Sequence, residues 1–282
     1  MHWVVRRRLG PLLLLTPALL LFGLLFLYPL AEILRISLFG REGFSTAAFE
    51  RFWTSPVLGV VFWRTFRLAI EVTAICLLVG YPVAMFLTAL SRGWRAAMVT
   101  LILLPLWTSV LVRSYTWMVL LGREGLVNTA LQWLGLTDGP VRLMFTPLAV
   151  YLGMVQILLP LMVLTLYSVM ADIDGGLSRA ARILGASPWR AFRHVFLPLT
   201  IPGIVTGCVL VFILALGFFI TPALLGGPRL RMLANLIDFE VHETLNWAQA
   251  AAIAVVLLAA TLAAIGLFRL LVRERTLYGA AP

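Results

Sequence analysis

The chain of 282 residues is 62% hydrophobic and only 12% charged. Soluble domains are about half apolar and about a quarter charged, so this composition excludes an ordinary soluble protein and predicts one embedded in a membrane. The net charge of +10 rests on 22 basic residues, all of them arginine, and nearly all of these lie in short segments outside the apolar runs. We therefore read the charge as a topology signal and exclude a nucleic-acid-binding protein.

Six apolar runs are long enough to cross a bilayer as helices, which requires roughly 20 residues each. The sequence therefore predicts an all-α polytopic membrane protein, organised as a single transmembrane domain over residues 1–282. The predicted spans cover residues 11–32, 68–90, 96–121, 145–170, 201–224 and 246–270, and a loop of residues 171–200 joins the fourth span to the fifth.

The first span also has features of a secretory signal peptide, because Arg6, Arg7 and Arg8 precede its apolar core. The apolar run is longer than a usual signal core, and the segment "LYPLAEIL" offers a poor small-residue cleavage site. We therefore expect this segment to be a retained membrane anchor.

The orientation of the spans follows from the arginines, because cytoplasmic loops carry an excess of positive charge. With the N-terminus inside, the inner segments hold twelve Arg against three carboxylates, and the outer segments hold nine Arg against eight. This asymmetry predicts that both termini and the 171–200 loop are cytoplasmic.

Signals for catalysis and metal binding are weak. The three histidines, His2, His194 and His242, are far apart in the sequence and lack metal-ligand spacing. A Gly-rich phosphate loop followed by Lys is also missing from the sequence. We therefore expect no catalytic residue, no metal site and no enzymatic activity in this chain.

The sequence of the 171–200 loop predicts two short helices that meet at a bend. Good helix formers precede Gly185, which stands where a left-handed C-cap residue belongs. Ser187 then provides an N-cap and Pro188 the first helical position of a second helix, which we expect to end at Pro198. A basic helix of this kind lying on anionic lipid is the simplest interpretation.

A longer pattern favours a more specific interpretation. The segment "RAARILGASPWRAFRHVFLPLTIPGI" resembles the EAA loop of ABC importer permeases, which reads Glu-Ala-Ala, three residues, Gly, and later a hydrophobic residue followed by Leu-Pro. The matching residues are Ala180, Ala181, Gly185, Leu197 and Pro198. In that family the loop forms the coupling helix that docks into a groove of the cytoplasmic ATPase.

One position departs from the family pattern. Arg179 replaces the family's Glu, so the charged contact that this Glu makes with the ATPase is absent here or reversed in sign. The residues that the resemblance assigns to ATPase coupling are Arg179, Ala180, Ala181, Gly185, Ala186, Ser187, Pro188, Arg190 and Pro198.

Further segments, among them "LLVGYPVAMFL" in span two and "LGFFITPALLGGP" in span five, look like the spermidine/putrescine-type permeases. The resemblance implies a permease subunit of an ATP-driven importer at the bacterial cytoplasmic (inner) membrane, first of all for a polyamine. Its implied partners are a cytoplasmic ABC ATPase dimer that binds ATP-Mg, a second homologous permease, a periplasmic or lipid-anchored solute-binding protein, and membrane lipid. No cofactor is implied in this chain.

Candidate residues of a solute pathway include one carboxylate within a predicted span. Ionisable groups at membrane depth are costly and indicate function, so Glu71 is a candidate contact for a cation. Arg67 precedes it by four residues, and a local ion pair near the outer interface is the alternative.

Aromatic residues could complete this pathway. Trp107, Tyr115, Trp117 and Phe219 could stack against alkylammonium groups, although Trp and Tyr also populate ordinary interface belts. Arg113 either snorkels to the surface or faces the interior, where it would hold a kink or repel cations.

Other solutes and another transporter class stay open at this point. Relatives with the same pattern are assigned to amino-acid-like compounds, opines, iron or thiosulfate. An ion-coupled secondary transporter is less favoured, because such proteins usually carry paired repeats and several intramembrane acids.

Overall fold

The computed structural model describes residues 15–40 and 43–278. The first four residues of the predicted first span, and the arginines at positions 6–8 and 41, lie outside this part of the chain.

The described residues form helices joined by short connections and one two-stranded hairpin. In chain order the elements are α1 (Leu15–Leu38, with a π-helical turn at Gly23–Leu27), β1 (Phe39–Gly40), β2 (Gly43–Phe44), α2 (Ala47–Thr54), α3 (Pro56–Ala89), α4 (Arg92–Leu103, extended by a 3-10 turn at Leu104–Trp107), α5 (Val110–Leu121), α6 (Leu126–Trp133), α7 (Pro147–Ala171), α8 (Gly175–Ile183), α9 (Pro188–Leu216, with a π-helical turn at Phe192–Phe196), a π-helical turn (Pro222–Gly226), a 3-10 turn (Pro228–Leu230), α10 (Leu233–His242) and α11 (Trp247–Tyr278).

Five of these helices are long and apolar enough to cross a membrane: α1, α3, α7, α9 and the Trp247–Phe268 part of α11. A sixth crossing arises if the bent pair Arg92–Trp107 and Val110–Trp133 counts as one span. The predicted all-α polytopic architecture is confirmed for the described residues.

The third predicted span is broken where the sequence suggested one helix over 96–121. Its two halves meet at an angle of 94°. Pro105 has no N–H to donate, the chain tightens into a 3-10 turn, and Thr108 is extended with ψ 143°. Ser109 then caps the next helix, its side chain accepting a bond from the Leu111 amide at 3.2 Å.

The expected helix end at Pro198 is wrong, since α9 runs without a break from Pro188 to Leu216. A π-helical turn precedes the proline, and the Leu197 amide bonds to the carbonyl of Phe192, five residues back. Proline has no N–H and therefore cannot make the usual hydrogen bond to the carbonyl four residues back. We attribute the continuity of the helix through Pro198 to the wider π-helical turn, in which that bond is not needed. The same helix ends eight residues before the predicted limit of 224.

Contacts within the chain group into two compact units, and the single-domain organisation stays a prediction. One unit comprises residues 1–59 and 236–260. In its described part Phe39 pairs with Phe44 across the hairpin, and Phe52 of α2 is almost fully buried.

The second unit comprises residues 60–235 and 261–282. Its core is α7, whose buried side chains include Met154, Leu158 and Met162. Helix α9 approaches α7 closely at two glycines, because a Cβ on Gly207 would lie 2.8 Å from the sulfur of Met162, and a Cβ on Gly203 only 3.0 Å from Val169. Small residues of this kind let membrane helices approach backbone to backbone.

Candidate functional site

The bend between α8 and α9 is a Schellman motif. Gly185 has φ 90°, the left-handed conformation that the sequence predicted for it. Its amide bonds to the carbonyl of Arg182 at 3.1 Å, and the Ala186 amide bonds to that of Ala181 at 3.0 Å. These are the two bonds that define this helix ending, and they fix the direction in which the chain leaves α8.

Both helices of the loop are also capped at their N-termini. The carboxylate of Asp174 accepts a bond from the Gly176 amide at 2.8 Å, at the start of α8. Ser187 accepts one from the Arg190 amide at 3.3 Å, and Pro188 occupies the first turn of α9. The predicted cap at Ser187 is confirmed.

Apolar side chains project from the bend. Ile183 and Leu184 are 86% and 87% exposed, and the ring of Trp189 is exposed as well. Exposed apolar groups this close together on a polar loop are typical of a surface that another protein covers. The ring of Trp189 stacks on that of Phe192, with centroids 5.6 Å apart, and Phe192 stacks in turn on Phe196 at 6.1 Å.

The predicted coupling residues surround this apolar patch. Ala181 and Ala186 are half-buried, whereas the other members of the set are exposed: Arg179, Ala180, Gly185, Ser187, Pro188, Arg190 and Pro198. Within the described residues no ion pair involves Arg179 or Arg190. The free face of the loop is therefore both basic and apolar.

The loop is anchored to helix α3 by a contact that sequence reasoning missed. The Tyr81 hydroxyl and the buried Thr200 hydroxyl are 3.1 Å apart, and the Tyr81 ring meets Phe192 edge-on at 6.3 Å. Nothing in the local sequence around Tyr81 marks it as a partner of residues more than a hundred positions away.

Glu71 on α3 is held from two sides. Arg67 Nε donates to its Oε1 at 2.8 Å, which is the local ion pair weighed from the sequence. The Tyr151 hydroxyl of α7 donates to its Oε2, a bond that the sequence did not indicate. The carboxylate is 35% exposed and, within this chain, neutralised.

Arg113 on α5 is buried, with 9% of its surface exposed. Its Nε and Nη1 atoms are enclosed and have no hydrogen-bond partner. Beside it the Ser114 and Thr221 hydroxyls are 3.0 Å apart, which ties α5 to the turn that follows α9. The side chain thus faces the interior of this unit.

The four candidate aromatic residues do not form a cage within this chain. Trp107 is 88% exposed at the bend of the third span, and Tyr115 and Phe219 are exposed. Trp117 is half-buried beside Gly153 of α7, where a Cβ would lie 3.9 Å from its ring. No ring stacking joins these four among the described residues, so the cage stays a prediction.

The described residues contain no cluster of three or more His, Cys, Asp or Glu side chains that could hold a metal ion. The features that stand out are instead apolar helices long enough to cross a membrane and one exposed, capped, basic loop. This combination is typical of a membrane-spanning protein with an exposed basic and apolar loop between two of its helices.

Comparison with known proteins identifies the class. The chain belongs to the family described as "Binding-protein-dependent transport system inner membrane component", whose pattern matches residues 7–276. Members of this family are ABC importer permeases, as the sequence pattern suggested, and are not themselves enzymes. The chain is accordingly a multi-pass component of an inner membrane.

Two curated relatives are similar over most of their length. The chain is 37% identical over 249 residues to the spermidine/putrescine transport system permease protein PotB of Haemophilus influenzae, covering 86% of this chain and 87% of that protein. It is 40% identical over 202 residues to PotB of Escherichia coli, covering 72% and 74%.

A solved structure shares the fold. A chain of the bacterial alginate ABC transporter in complex with alginate pentasaccharide-bound periplasmic protein superposes with a TM-score of 0.83. The sequences are 18% identical, and the match covers 96% of each chain.

Proposed function

We propose that this permease serves an ATP-driven importer of polyamines such as spermidine and putrescine. The observation that carries the proposal is the similarity to two spermidine/putrescine permeases, at 37% and 40% identity. Similarity of this extent covers the spans as well as the loop, so it includes the helices that would surround the solute.

The partners follow from the loop and from the family. A cytoplasmic ABC ATPase dimer binds ATP-Mg and receives the 171–200 loop in a groove. A second homologous permease completes the pathway, and a periplasmic or lipid-anchored protein delivers the solute. Both termini and the loop then face the cytoplasm of a bacterial cell, in agreement with the distribution of arginine.

The loop chemistry supports docking on an ATPase. Ile183, Leu184 and Trp189 supply apolar surface, and Arg179 and Arg190 supply charge at its margin. The Schellman motif at Gly185 sets the angle between α8 and α9, so the groove receives a preformed shape. ATP-driven closure of the ATPase dimer draws the two permease loops together and opens the cavity outward.

The solute pathway is proposed to use Glu71, Arg113 and the aromatic residues Trp107, Tyr115, Trp117 and Phe219. The exposed aromatic rings of this chain would face aromatic rings of the second permease. Each permease would then supply half of the cage around the solute. The buried guanidinium of Arg113 places a positive charge within the bundle, where it would slow the leak of small cations.

Reconstitution tests the proposal directly. The complete complex is placed in proteoliposomes with its solute-binding protein, and ATP hydrolysis and uptake are measured with spermidine, putrescine, an amino acid, iron and thiosulfate. Stimulation by polyamines alone is expected. Stimulation by another solute, with none by polyamines, would overturn the substrate and leave the importer class intact.

A further inference from the structure

A cavity opens within the unit formed by residues 1–59 and 236–260. It has a volume of about 220 Å³ and is bordered by α1, α2 and α11. Among its lining residues are Ser37, Ala48, Arg51, Asn246, Ala248 and Gln249. We call it the interfacial cavity.

The cavity lies at the level of the membrane surface. Ser37 belongs to the last turn of the apolar helix that ends at Leu38, and Ala248 belongs to the first turn of the one that begins at Trp247. Where one spanning helix ends and another begins, the surroundings change from hydrocarbon to lipid headgroups. This placement does not depend on which side of the membrane is involved.

Two helices begin at the interfacial cavity. Ala48 and Ala248 are the second residues of α2 and α11, and both line it. Neighbouring first-turn amides are capped, that of Ala47 by Ser45 and that of Gln249 by Asn246, but within the described residues no bond to Ala48 N or Ala248 N is found. Helix N-termini of this kind attract anions.

Two further polar side chains lie at the cavity. Arg51 lines it, and within the described residues no carboxylate pairs with that guanidinium. Gln249 also lines it; the residue is 2% exposed, and its Nε2 is buried without a hydrogen-bond partner. None of the described residues that line the cavity is acidic. A buried donor without a partner costs free energy unless a ligand satisfies it.

We propose that the interfacial cavity binds the headgroup phosphate of an anionic phospholipid. The side chains of Phe44, Trp53 and Trp247 in the same unit are exposed, and aromatic rings of this kind sit at the headgroup level of a bilayer. The phosphate accepts hydrogen bonds from the Arg51 guanidinium and from the free first-turn amides. The acyl chains lie along α1, whose side chains are exposed over most of its length.

The test uses the full chain in a neutral maltoside detergent and counts bound lipid by native mass spectrometry. The probe is dioctanoyl-phosphatidylglycerol; dioctanoylglycerol, which has the same chains without the phosphate, and inorganic phosphate are the comparisons. Arg51→Gln should weaken phosphatidylglycerol binding about tenfold, because it removes a charge-assisted contact. Arg51→Lys should retain part of the affinity. The matched control is Arg35→Gln, which removes an arginine of the same unit that is paired with Glu32 and does not line the cavity.

Three outcomes would overturn the proposal. Equal binding of phosphatidylglycerol and dioctanoylglycerol would show that the headgroup is not recognised. Inorganic phosphate binding as tightly as the lipid would mark a free-anion site. Loss of receptor association in Arg51→Gln, with lipid binding unchanged, would assign the cavity to a carboxylate of the solute-binding protein.

Discussion

Replacing Gly185 by valine should uncouple transport while leaving the membrane helices intact. A Cβ at this position meets nothing within 4 Å, so the substitution creates no clash in the folded loop. The cost is conformational, because φ is 90° and a β-branched residue in such a conformation is strained by about 1–3 kcal/mol. At about 2 kcal/mol the bent form loses about thirtyfold in population relative to alternatives.

The assay compares uptake and solute-stimulated ATP hydrolysis in proteoliposomes of the complete complex. Gly185→Val should lower both, by a factor of at most about thirty, if only the bent loop docks. Gly185→Asn should retain most activity, since Asn tolerates left-handed conformations. Gly93→Val is the matched control: it also meets nothing within 4 Å, and it lies in the first turn of α4 without a positive φ. Wild-type uptake by Gly185→Val would refute the role of the bend.

The other predictions concern charge and packing. Arg179→Glu should weaken co-purification of the native ATPase, because the exposed arginine would face acidic or neutral groups there; stronger co-purification would show that the ATPase presents a basic group and that Arg179 is mismatched to it. Glu71→Gln should raise the half-saturating putrescine concentration and Arg67→Gln should lower it, each about fourfold, since one unit charge acts on this dication with about 0.8 kcal/mol at roughly 10 Å in an aqueous dielectric; identical curves would make the pair structural. Gly153→Ala should lower the thermal midpoint, because its Cβ would lie 2.6 Å from two side-chain atoms; Gly59→Ala, which meets nothing within 4 Å, is the control, and equal midpoints would contradict the packing account.

Local signals in the sequence were sufficient for the bend and the N-cap of the loop, although not for the end of its second helix. Gly185 and Ser187 act through their own backbone or through amides within three residues, so their roles could be predicted from residue type and spacing. The apolar length of the spans was equally informative, because membrane crossing depends on composition more than on tertiary contacts.

Other features depend on partners distant in the sequence or on small differences in free energy between alternative backbone conformations. The Tyr151 bond to Glu71 joins residues 80 positions apart, and no local pattern marks it. The two prolines gave opposite results: Pro105 accompanies a break in the third span, whereas Pro198 is absorbed by a π-helical turn. Which result occurs depends on the packing of the surrounding turns and not on the proline itself.

The unbroken course of α9 turns the loop and the fifth span into one lever. Its 29 residues extend over about 43 Å, so a sideways shift of about 3 Å at the Pro188 end tilts the whole rod by about 4° about its far end. A flexible joint at Pro198 would have dissipated such a shift. The rod is instead bounded by two glycines, Gly185 before it, where the Schellman motif fixes the angle to α8, and Gly217, which ends it.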